Sequence, residues 1–208
     1  MKKILSLMLF VSLMFTSCSK CSNDNVVTTT NDLTTSKIVV DNLILMDREN
    51  MYLNYGNNYR WYESCVLMKD FLDENTDGSI DMVVNVFQSI LPSGEGFDTQ
   101  VLKYQHLSNG TFVKDSINGF WIEDFPLDNE LITISYDSAF NLIQRINLPK
   151  PHSRNAILRS PVGPKKVNPQ WVFGNIKAQL WVDAVTGEIK QSNPAFEGSF
   201  DKPLGEWP

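Results

Sequence analysis

Val101-Leu102-Lys103-Tyr104-Gln105-His106-Leu107, Ser108-Asn109-Gly110 and Thr111-Phe112-Val113, read in succession, form the stretch that decides the fold. Two runs of β-branched, aromatic and aliphatic residues flank an Asn-Gly step, which accepts the positive φ of a tight hairpin turn. Antiparallel strands are therefore expected here. Upstream, Ile38 to Met46 and Arg60 to Phe71 have the same strand-like make-up, with a turn signal at Gly56-Asn57-Asn58 between them, and Asp81 to Leu91 stops at Pro92-Ser93-Gly94. Around residue 135 the periodicity changes. Ser135 reads as an N-cap, Asp137 places a negative charge in the first turn, and Tyr136, Ala139, Phe140, Ile143 and Ile146 recur at helical spacing until Pro149. Ala156 to Arg159, Gln170 to Phe173 and Ala178 to Asp183 read as short strands, while Pro161, Pro164 and Pro169 hold the segment between the first two as loop. The expected fold is α+β: mainly antiparallel β-sheet with one principal helix, residues 136–147, packed on it.

The first eighteen residues address the protein rather than fold it. Lys2 and Lys3 form a positive region, Ile4 to Phe15 an apolar run of 12 residues, and Phe15-Thr16-Ser17-Cys18 a lipobox-like end. The run is shorter than the roughly 20 apolar residues of a membrane-spanning helix. The stretch resembles a Gram-negative lipoprotein signal peptide, residues 1–17, with lipidation at Cys18; that implies a cell-envelope protein of the outer membrane, facing the periplasm or the surface. Residues 18–36, polar and Thr-rich, read as a flexible tether. An acidic β-rich region follows over 37–129, then an α+β region over 130–193 and an irregular tail over 194–208.

Loss of Lys2 and Lys3 with the signal leaves 16 bases against 24 acids, a formal charge of about −8. That sign argues against a nucleic-acid partner. The charge is segregated: Glu63 to Asp137 holds 14 acids and three bases, Ala139 to Val182 seven bases and no acid. Lys150, Arg154, Arg159, Lys165 and Lys166 could form a patch for an anionic ligand, or the two halves could pair with each other or stay solvated. Of the cysteines, Cys65 reads as a buried core thiol, with a Cys21–Cys65 bridge as the alternative.

One loop has the donor set of a hard cation. Asp73-Glu74-Asn75-Thr76-Asp77-Gly78-Ser79-Ile80-Asp81 puts oxygens at alternating positions around a glycine. It resembles the calcium loops of integrin-type propeller repeats, which implies side-chain ligands from Asp73, Asn75, Asp77 and Asp81, a carbonyl from Ser79, and a structural calcium. It resembles an EF-hand less, since Val84 stands where the bidentate Glu would be. The alternative is an Asx-rich turn that needs no ion.

Residues Glu130 to Gln191 carry a second resemblance. The helix opening Ile134-Ser135-Tyr136-Asp137-Ser138-Ala139, the run Asn168-Pro169-Gln170-Trp171-Val172-Phe173 and the run Trp181-Val182-Asp183-Ala184-Val185-Thr186-Gly187-Glu188-Ile189 are similar, in that order, to the PepSY family. The resemblance implies a helix-on-antiparallel-sheet module associated with peptidase inhibition or ligand binding, and no catalytic residues. The insert from Pro149 to Asn168 departs from a minimal module.

Catalytic signals are weak by comparison. His106 and His152 stand alone in sequence and read as surface residues, and Ser93-Gly94-Glu95-Gly96 is not a nucleophile elbow. The expected function is a non-catalytic, membrane-anchored binding module for a peptide, an envelope protein or a glycan. A hydrolase, a hydrolase accessory or a peptidase inhibitor of the envelope is the alternative.

Overall fold

The structure, a computed structural model, describes residues 28–29, 39–90, 97–121, 124–175 and 177–196. The elements are β1 (Thr28–Thr29), α1 (Val40–Tyr55), β2 (Tyr59–Met68), β3 (Ile80–Ile90), β4 (Phe97–Leu107), β5 (Phe112–Asn118), β6 (Asp124–Phe125), α2 (Tyr136–Arg145), β7 (Asn155–Pro161), β8 (Gln170–Asn175), β9 (Ala178–Asp183) and β10 (Ile189–Lys190). The strands form one antiparallel sheet in the order β1-β5-β4-β3-β2-β7-β8-β9-β10, with β6 added to the end of β7. The fold is thus α+β, as expected. Its central join is β2 against β7, where Glu63 to Leu67 pair with Arg159 to Asn155, so the sheet runs unbroken across residue 130.

The deciding hairpin forms as expected. β4 and β5 pair from Gln100↔Asn118 to His106↔Phe112, and Gly110 takes φ 84° in the turn. β5 runs on five residues past Val113, through a Lys-Asp-Ser-Ile-Asn stretch whose mixed polarity hid it from a pattern-based reading.

The stretch from Ile38 to Met46, expected as a strand, is instead part of α1 from Val40 onward. Val40, Ile44, Asp47 and Met51 lie at spacings of four, three and four and are the buried face of this helix. Gly56 ends it at φ 60°, its N–H bonding the Tyr52 carbonyl. The described residues therefore form two α-helices, the unexpected one being the longer. α2 ends at Arg145, two residues short of the expected helix, because Ile146 is already extended. Within the expected tether, Thr28–Thr29 is a strand paired with Val113 and Phe112; β-branched residues suit that geometry, and the β5 edge supplies the partner. The tail opens with a single 3-10 turn, Pro194–Phe196. The signal peptide, Cys18, Cys21, residues 92–94 and the tail beyond 196 lie outside the described residues.

Both helices contribute to one core. Val40, Ile44 and Met51 of α1 and Tyr136, Ala139, Phe140 and Ile143 of α2 join Val66, Val83, Phe87, Leu158, Trp171, Phe173 and Val182 of the sheet in a continuous cluster. Each such fully buried side chain contributes about 1.5–3 kcal/mol. Tyr136 packs edge-on against Trp171 with ring centroids 5.6 Å apart, and Trp171 donates its indole N–H to the Ile134 carbonyl at 2.9 Å. Ser135 caps α2 as expected, its Oγ accepting from the Ser138 N–H at 3.1 Å. Asp41 of α1 accepts from the Tyr136 N–H at 3.3 Å, tying the start of one helix to the other, and burial raises its carboxyl above the usual range. On the opposite face a smaller cluster of Val84, Val86 and Val101 is covered by Trp121. Trp61, Tyr62, Trp171 and Trp181 are buried, while Tyr59 and Trp121 are half-buried.

Candidate functional site

The loop from Asp73 to Asp81 joins β2 to β3, as its sequence requires, and Gly78 takes φ 74° against the ring of Phe140. A Cβ there would lie 2.8 Å from that ring, so the position is closed to other residues. The acidic side chains serve separate partners. Both Asp73 oxygens lie 3.0 Å from His152 Nδ1, and the His152 ring stacks on Phe71 at 4.0 Å. Asp77 Oδ1 accepts from the Ser79 N–H at 2.8 Å, while Asp81 receives Arg154 Nη2 at 2.9 Å and the Ser108 hydroxyl at 3.2 Å. Among the described residues no three His, Cys, Asp or Glu side chains converge on a point that would hold a metal ion. A calcium bound by this loop would have to draw Asp73 from His152 and Asp81 from Arg154.

The structure divides the basic patch. Arg154 donates to Asp81 and, through Nε, to the Met68 carbonyl at 2.6 Å. Arg159 donates its Nε at 2.7 Å to Asp124, whose side chain is wholly buried. These two arginines join the acidic half of the sequence to the basic half, the packing alternative weighed from the charge pattern. Lys150 is half-buried, whereas Lys165 and Lys166 are exposed beside an open pocket of about 200 Å³ that also involves Lys190.

Beneath α1 lies a polar chain that sequence spacing could not reveal. Asp47, 0% exposed, accepts from Asn85 Nδ2 at 2.7 Å, and both its oxygens lie 2.9 Å from His106 Nε2. Ser64 donates its hydroxyl to Asn85 Oδ1, and Trp61 donates its indole N–H to Ser64 Oγ at 3.1 Å. His106, expected at the surface, is 9% exposed and packs beside Phe112. Although an Asp–His pair and a serine are present, Ser64 donates to Asn85, so the nucleophile-to-base hydrogen bond of a catalytic triad is not made. The chain ties α1 to β2, β3 and β4. Cys65, expected in the core, is half-buried on the other face, its Sγ 2.8 Å from Glu63 Oε1.

β5 is an edge strand among the described residues beyond its first two positions. β1 pairs with its first two residues, and from Lys114 to Asn118 no further strand lies beside it among the described residues. Lys114, Ser116, Ile117 and Asn118 are exposed. Lys114 Nζ reaches the Tyr55 hydroxyl and lies 4.8 Å from the Tyr55 ring centroid and 5.6 Å from that of Tyr104. Next along the strand, Tyr59 donates its hydroxyl to Gln100 Oε1, and Gln100 Nε2 donates to Ser116 Oγ at 3.0 Å. Burial, with the neighbouring Tyr55, Asp47 and Tyr59, pushes the Tyr104 phenol up to about 12, so it stays protonated near neutral pH. The edge thus offers backbone groups flanked by tyrosines, amide and hydroxyl groups and one cation.

Comparison of the chain with protein-family models, with curated proteins and with solved structures returns no match. Among the described residues no helix is long and apolar enough to cross a membrane.

Proposed function

We propose that this chain is an envelope lipoprotein, tethered through Cys18, whose folded body binds extended peptide by adding it as a strand to β5. The observation that carries the reading is the edge of β5: Phe112 and Val113 pair with the chain's own Thr28–Thr29, and among the described residues no strand lies beside the five residues that follow. An edge strand presents a row of backbone donors and acceptors, and a peptide added there gains main-chain hydrogen bonds while alternate side chains set its identity. Lys114, between Tyr55 and Tyr104, favours an acidic residue opposite it. A non-catalytic role accords with Asn85 donating to Asp47 of the buried Asp47–His106 pair while Ser64 donates to Asn85.

Peptide display against the immobilised full-length protein tests this reading. Neighbouring residues of an edge strand direct their N–H groups alternately inward and outward, so one of Ser116→Pro and Ile117→Pro removes only an outward donor and leaves the fold intact. Selected peptides are expected to bind wild type and to lose binding to the well-folded proline variant. Peptides that bind that variant as tightly as wild type overturn the reading.

A further inference from the structure

At the opposite end of the sheet from β5, the loop between β7 and β8 and the strand β10 meet around the pocket noted above. Its volume of about 200 Å³ is below the roughly 300–1,000 Å³ that engulfs a whole drug-sized ligand, and suits a single compact group. Lys165, Lys166 and Lys190 line it together with Gln170, Asp183 and Glu188.

The two acids are already engaged. Asp183 Oδ1 accepts from the N–H groups of Val185 and Thr186, both at 2.9 Å, and its carboxylate also accepts from Asn168 Nδ2 at 3.0 Å and Gln170 Nε2 at 3.4 Å. Burial alone would raise its pKa, but those donors outweigh it and hold the carboxyl below the usual range. Glu188 lies 3.7 Å from Lys190. By contrast, the ammonium groups of Lys165 and Lys166 have no carboxylate within ion-pair distance among the described residues.

The loop that carries them is constrained. Pro161, Pro164 and Pro169 fix φ at three positions, and Lys165 donates its N–H to the Ala195 carbonyl at 3.1 Å. A Cβ on Gly163 would lie 2.5 Å from Ala195 Cβ, so the loop is pressed against the 194–196 turn where only glycine fits. Two adjacent lysines are thereby carried on a fixed backbone at the pocket that Lys190 of β10 also lines. Lysine ammonium groups act as point charges and take compact oxyanions.

We propose that Lys165, Lys166 and Lys190 form a binding site for a phosphate group, independent of peptide addition at β5. The test is titration of the full-length protein with sodium phosphate at constant ionic strength, following lysine side-chain NMR shifts. The probes are wild type, K165Q/K166Q and, as a control lysine outside the pocket, K150Q. Saturable shifts are expected in wild type and K150Q, with affinity at least about tenfold weaker in K165Q/K166Q. A linear, non-saturating response, or equal affinity in K165Q/K166Q, overturns the site. A second arm uses vesicles of phosphatidylglycerol against phosphatidylcholine with lipid-free protein. Phosphatidylglycerol binding that K165Q/K166Q abolishes assigns the phosphate to a lipid headgroup; inorganic phosphate binding without vesicle binding assigns it to a soluble phosphoester, and both outcomes support the site.

Discussion

Replacing Asp47 by Ala removes the acceptor at the centre of the polar chain under α1. His106 Nε2 and Asn85 Nδ2, now 2.9 and 2.7 Å from Asp47 oxygens, would both lose that acceptor, Asn85 being fully buried and His106 nearly so. Each donor left unsatisfied costs about 1–3 kcal/mol, so the pair costs roughly 4 kcal/mol, in line with the loss on breaking a buried charged contact. At about 2–4 °C per kcal/mol for a domain of this size, the melting temperature should fall by roughly 8–16 °C. Urea unfolding followed by circular dichroism measures the loss, with Glu49→Ala as an exposed control on the same helix that should leave stability unchanged. His106→Ala in the Asp47→Ala background should cost much less than alone, because its partner is already gone, with a coupling of about 1–3 kcal/mol. A loss below about 1 kcal/mol for Asp47→Ala, or additive single and double variants, would refute the burial and pairing described here.

Arg159→Met strands the buried Asp124 carboxylate and should cost roughly 3 kcal/mol in urea unfolding, part of it restored in Arg159→Met/Asp124→Asn. Asp183 has its carboxyl held below the usual value, so it contributes stability above that value and loses it as pH falls through the depressed one. The gap in melting temperature between wild type and Asp183→Asn should accordingly be open at pH 7 and close below about pH 4. Millimolar calcium is expected to leave the melting temperature of both wild type and Asp77→Ala unchanged, since Asp73 and Asp81 are engaged by His152 and Arg154. A rise in wild type that Asp77→Ala abolishes would make the loop a calcium site.

What the sequence disclosed depended on whether one short-range signal sufficed. Asn109-Gly110 between two apolar runs, and Ser135 before a clean helical period, are local statements, and both elements formed where they were read, with β5 longer and the helix two residues shorter. α1 defeated the same approach because it is apolar on both sides: Val40, Ile44 and Met51 face the core while Leu45, Met46, Tyr52 and Leu53 are exposed. With Asp47 in the middle of the buried face, no amphipathic period survives, and an aliphatic run looks like a strand. Asp47 and His106 are 59 residues apart, and only the packing of α1 over β4 brings them together. The same holds for Arg154 with Asp81 and Arg159 with Asp124, pairs 73 and 35 residues apart, so the charge pattern left an anionic-ligand patch and pairing between the halves both open for these arginines. The oxygen-rich spacing from Asp73 to Asp81 was legible as a turn, whereas the direction of each carboxylate depended on His152 and Arg154 arriving from the other half of the chain.

Strand addition at β5 is read out residue by residue in hydrogen–deuterium exchange. In the full-length protein alone, the outward amides of Lys114 to Asn118 should exchange rapidly while those of β3 are protected. On addition of a display-selected peptide at saturating concentration, protection is expected at Lys114 to Asn118. Unchanged exchange there, with protection appearing on another element, would contradict it.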